Sequence, residues 1–109
     1  MASPYDAQPA SILAAGSVSA AGAVVSPVAG AGARNWTVAA PVMSVFTITL
    51  GAQCDVTERV VLLTVRDILD SIATVSAGTD ATIVVSTGTA STGAAADKAF
   101  DFVCYKLAF

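Results

Sequence analysis

The chain has no histidine and little charge: 12% of its 109 residues are Asp, Glu, Lys or Arg, where an ordinary globular domain carries about 25%. Each shortage excludes something. Without histidine there is no Ser-His-Asp or Cys-His nucleophile pair. The two cysteines, Cys54 and Cys104, cannot complete a zinc site by themselves. The five basic residues, Arg34, Arg59, Arg66, Lys98 and Lys106, are scattered through a chain of net charge −3. They are too few and too dispersed to neutralise a run of phosphates, so nucleic acid is not an expected partner.

A membrane partner is not expected either. The uncharged stretch 7–33 exceeds the roughly 20 residues that span a bilayer. It is broken, however, by Pro9, Gly16, Gly22, Pro27, Gly30 and Gly32 and diluted by serines. Residues 1–8 hold no Lys or Arg, so the basic start of a secretory signal is missing. The expectation is a chain kept in the cytoplasm until it assembles, with reduced and unbridged thiols. In that setting the sequon Asn35-Trp36-Thr37 is a coincidence.

What the chain does have is apolar surface in excess. Hydrophobic residues make up 55% of it, mainly Ala and Val. Chains this short bury only roughly two-thirds of the surface they could expose. With so few charges to cover the remainder, contiguous apolar patches are expected outside, and such patches mark surfaces meant to meet another chain. An assembling protein with a structural or binding role is expected, not an enzyme. The carboxylate pairs Asp55/Glu58, Asp67/Asp70 and Asp97/Asp101 read as turn or edge charges, since no other group converges on them. Loop carboxylates, Asp80 among them, could offer oxygens to calcium, but no EF-hand spacing is present, so neither metal nor cofactor is expected.

Along the chain, residues 1–10 (MASPYDAQPA) read as an extended arm and 11–109 as one domain. Short apolar runs punctuated by Gly, Ser, Thr and Asn give the spacing of an all-β sandwich or barrel. Ile12–Val18 is the first strand, 26–33 a loop, and Arg34–Val38 a short strand. Val45–Leu50 alternates, with Phe46, Ile48 and Leu50 on one face. Ile72–Ser76 pairs with Ala81–Thr87 as a hairpin. Ser86–Ala96 reads as a surface loop. Asp97–Leu107 is the last strand, with Phe100, Phe102 and Cys104 turned to the core. Residues 58–72 have helical spacing, and Asp55 with Glu58 resembles a capping box. The β-branched Val60, Val61, Thr64 and Val65 favour the other reading, a buried strand at 59–66 with a turn after it.

Several pieces in order, Asn35-Trp36-Thr37-Val38, Ser44-Val45-Phe46-Thr47-Ile48-Thr49-Leu50 and Asp97-Lys98-Ala99-Phe100-Asp101-Phe102, resemble small β-sandwich domains of tailed-bacteriophage virions. Those domains occur in capsid decoration (cement) proteins and fibre heads. They carry a G-V-Y-T-I-T-F-like strand and a D-x-A-F-x-F strand; here Ser44 stands where the pattern has Gly, and Phe46 where it has Tyr. The likeness covers nearly all of the chain after residue 11. It implies a jelly-roll-like sandwich of about seven to eight strands and a homotrimer on the outside of a phage head, bound to the major capsid protein. A receptor- or carbohydrate-binding fibre tip is the alternative. The arm residues Pro4, Tyr5, Asp6 and Pro9 are the expected capsid contact. Ala99, Val103 and Tyr105, opposite the core-facing residues of the last strand, are the expected trimer interface.

Overall fold

The computed structural model describes residues 10–26, 35–66 and 69–107. Among these residues eight strands form two antiparallel four-stranded sheets packed as a sandwich. The strands are β1 (Ala10–Val18), β2 (Val24–Ser26), β3 (Trp36–Val38) and β4 (Val45–Leu50), then β5 (Arg59–Val65), β6 (Ser71–Thr79), β7 (Thr82–Thr89) and β8 (Phe100–Leu107). One sheet has the order β2-β1-β8-β5 and the other β3-β4-β7-β6. The first and last strands therefore lie side by side at the centre of one sheet.

Alternation places the core. Phe46, Ile48 and Leu50 on β4, Ile83 and Val85 on β7, and Phe100, Phe102 and Cys104 on β8 are all buried. Two edge-to-face ring pairs knit the sheets: Phe46 with Phe100 at 5.2 Å, and Trp36 with Phe102 at 4.8 Å. Trp36 also donates its Nε1–H to the Ala15 carbonyl at 3.0 Å, so its one polar atom is satisfied inside. At the other end Arg59 ties the sheets together. Its guanidinium donates to the carbonyls of Thr79 and Thr82, each at 2.7 Å. Gly78 makes this possible, because a Cβ there would stand 2.7 Å from the Arg59 Nη2.

Turn chemistry sets the register. β3 and β4 are joined through a two-residue turn in which Met43 (φ 51°) and Ser44 (φ 64°) are both left-handed. Such turns match the twist of hairpin strands but ordinarily use Asn or Gly. The Ser44 hydroxyl donates to Asp97 at 2.8 Å, which offsets part of the strain.

Three readings of the sequence need correction. Ser86–Ala96 is not all loop: β7 runs on to Thr89, and Thr87 and Gly88 are buried. Its Ser, Thr and Gly residues pair with β6, and the Thr87 hydroxyl donates to the Ala96 carbonyl at 2.7 Å. Residues 59–65 do form a strand, but at a sheet edge and buried on one face only. Asp55 does cap, accepting from the Thr57 N–H at 2.9 Å, yet it starts only a single 3₁₀ turn, Val56–Glu58. β2 is an element the sequence reading did not separate from its surroundings. Ser26, expected to open a loop, instead ends β2; the rest of that expected loop, 27–33, lies outside the described residues. No helix among them is long and apolar enough to cross a membrane.

Candidate assembly surface

The outer faces of the two sheets differ in chemistry. On the β3-β4-β7-β6 sheet, Thr37, Thr49, Thr82 and Thr79 stand in one register row, one on each strand. The same face continues with Thr47, Ser86 and Thr74, among which stand Val45 and Val84. Cross-strand threonines support a sheet and remain comfortable in water.

The β2-β1-β8-β5 sheet is apolar outside. The row opposite the buried Phe102 and Cys104 contains Val103 and Tyr105, at the centre of the sheet on β8. Val103 is flanked by Ala15 on β1 and Leu62 on β5, and Tyr105 by Ile12 and Val60. Ile12 and Leu62 keep 56% and 55% of their surface exposed, and Val60 40%. Six apolar side chains on three adjacent strands thus form one continuous patch. At one end it stops against polar groups: Ser17 donates to Asp101 at 2.6 Å, and Arg66 lies 3.6 Å from the same carboxylate. That exposed pair contributes little to stability, about 0–1 kcal/mol. Its effect is to mark where the patch ends.

Of the expected interface residues, Val103 and Tyr105 lie at the middle of this patch. Ala99 precedes β8, where its carbonyl accepts from the Arg66 N–H at 2.9 Å. Ile12, Val60 and Leu62 were not singled out from the sequence. For Val60 and Leu62 the signal was the run RVVLLTV, apolar at both odd and even positions, as in strands covered on both faces. The expected arm contacts Pro4, Tyr5, Asp6 and Pro9 lie outside the described residues.

Asp70 and Asp55 are engaged locally. The Asp70 carboxylate accepts from the Ser91 N–H at 2.8 Å and the Ser91 hydroxyl at 2.6 Å, which holds its carboxyl below the ordinary range. Asp55 is lowered likewise by its backbone and hydroxyl bonds from Thr57. Among the described residues no three Cys, Asp or Glu side chains gather as a metal site would require. Cys54 and Cys104 are both buried and unbridged, and burial pushes the Cys104 thiol up. Comparison of the chain with protein-family models, curated proteins and solved structures finds no match.

Proposed function

We propose that this chain is a structural virion protein, a capsid decoration protein that binds the outside of a phage head as a homotrimer and stabilises it. The observation that carries the assembly half of this reading is the apolar outer face of the β2-β1-β8-β5 sheet, centred on Val103 and Tyr105. Fully burying one large aliphatic side chain is worth about 1.5–3 kcal/mol. Ile12, Val60 and Leu62 retain much of that free energy for a partner. A closed threefold lets such a face meet its copies without leaving a sticky remainder. The phage setting is supported by the likeness of the Ser44–Leu50 and Asp97–Phe102 segments to virion sandwiches.

Cementing then has a simple physical content. Apolar area buried between trimer and capsid raises the barrier to rupture, and it needs no catalytic group. The fibre-tip alternative gains no observation of its own, because residues 90–96 are tied back onto Asp70 and β7. The test is negative-stain microscopy of phage heads mixed with the purified chain. Threefold knobs on the head and a higher rupture temperature are expected. Heads that remain bare and no more stable would refute the decoration role.

A further inference from the structure

The sandwich is closed along one edge and open along the other. On edge strand β3, Trp36 is only 3% exposed and reaches across to β1 and β8. Along the opposite edge lie β5 and β6, consecutive strands in different sheets. Their core-facing side chains are incompletely covered. Val61, Leu63 and Val65 on β5 are half-buried. Val75 on β6 sits opposite the fully buried Val85, on the core side, yet is 44% exposed. Val56, Val61, Val75 and Ala77, with Arg59 and Gly78, line a crevice of about 410 Å³ there. Aliphatic side chains that face a sandwich core but still meet solvent mark room for one more strand. Among the described residues β5 has no strand on its outer side, so its edge presents backbone groups for pairing.

We propose that this crevice receives residues 1–9 of a second copy of the chain, laid against β5 as an added strand. Length permits it: nine extended residues reach about 30 Å, and the seven of β5 need only about 23 Å. Position favours it too. Ala10 pairs with Leu107, next to the row that joins Ser11, Lys106 and Arg59. Strand β1 therefore begins at the end of the sheet where the crevice opens.

The same placement disfavours the chain's own crevice. Its arm would have to cross three strand spacings, about 14 Å, and reverse direction within residues 7–10. Pro9 fixes its own φ and biases Gln8 to an extended course, and no glycine occurs in 1–10 to ease a reversal. Tyr5 supplies the large apolar side chain for the gap. Pro4, at the alternate position, would turn away from β5, where an edge strand tolerates proline. Head-to-tail donation of this kind closes into a ring when the rotation permits. The inference rests on the assembly reading only in taking a second copy as partner.

The test uses full-length chains. A mass-tagged Tyr5→Cys chain is mixed with a Val75→Cys chain and oxidised with diamide; Cys54 and Cys104, both buried, stay unchanged throughout. Docking holds the two thiols at high effective concentration, so heterodimer about tenfold above a Tyr5→Cys with Leu62→Cys control is expected. Both substitutions at 62 and 75 sit at exposed sites, and far-UV circular dichroism checks that each chain folds. Heterodimer no greater than the control, as capsid capture by the arm would give, overturns the proposal. So does an intrachain bridge in the Tyr5→Cys/Val75→Cys double variant without bridging between chains. Sedimentation of a Leu62→Asp chain reports on the outer face separately, so failure of either reading is seen by itself.

Discussion

Leu62 and Leu63 are neighbours in sequence, and a carboxylate at one should have the opposite consequence from a carboxylate at the other. Leu62 points outward beside Val103 and is 55% exposed; Leu63 points inward opposite Phe102 and packs on the core. In Leu62→Asp the isolated fold loses only a partly solvated contact, so its stability should change by no more than about 0.5–1 kcal/mol. Assembly should suffer far more. The interface forfeits the remaining half of a leucine's burial, about 1 kcal/mol. It must also desolvate an unpaired carboxylate, at several kcal/mol. Together these give about 3 kcal/mol or more per chain, hence at least a hundredfold weaker association.

Leu63→Asp puts the same charge between the sheets. At this half-buried position the lost packing and partial desolvation of the carboxylate cost about 2–4 kcal/mol, a large share of the 5–15 kcal/mol that holds a typical domain together. Sedimentation equilibrium at micromolar concentration reads the first effect, and urea denaturation followed by circular dichroism reads the second. A Leu62→Asp chain that associates as tightly as the parent, or a parent that is monomeric from the start, refutes assembly through this face.

Trp36→Phe should cost about 2 kcal/mol, since it strips the Ala15 carbonyl of its indole donor and thins the contact with Phe102; urea titration by far-UV circular dichroism measures it, the only tryptophan being lost. Met43→Gly should stabilise by about 1 kcal/mol, because Met43 is exposed and left-handed. Ser44→Gly should be nearly neutral, relief of its φ being offset by loss of the bond to Asp97, and the two melting temperatures compared side by side check both. Asp55 and Asp70 have carboxyls held below the ordinary 3.8, so the stability they add is present above that value and lost as pH falls through their folded-state values. Thermal midpoints should therefore drop below about pH 4, and drop less in an Asp55→Asn/Asp70→Asn chain, whose amides do not titrate there.

Residue periodicity made much of the fold legible. VFTITL declares its buried face by strict alternation, and the spacing of Phe100, Phe102 and Cys104 does the same for β8. The β-branched run at 59–65 outweighed the helical spacing of Val61, Val65 and Ile68, because a strand accommodates β-branching that a helix resists. Ser86–Thr89 misled for a related reason. Small polar residues are turn-formers by composition, but backbone pairing on both sides fixes them in a sheet whatever their side chains prefer.

The sequence by itself determined that this chain is all-β, that it has no histidine, and that it carries more apolar surface than one small domain can hide. Those facts follow from composition and period, which are local. Only the tertiary structure decided where the surplus lies. Placing β8 between β1 and β5 brings Ile12, Val60, Leu62, Val103 and Tyr105, from three separate stretches of chain, onto one face. Which strand neighbours which is set by long-range pairing and by the two ways a strand can turn its faces. No single segment encodes that choice, because a run apolar on both faces, such as RVVLLTV, does not say which strands will flank it.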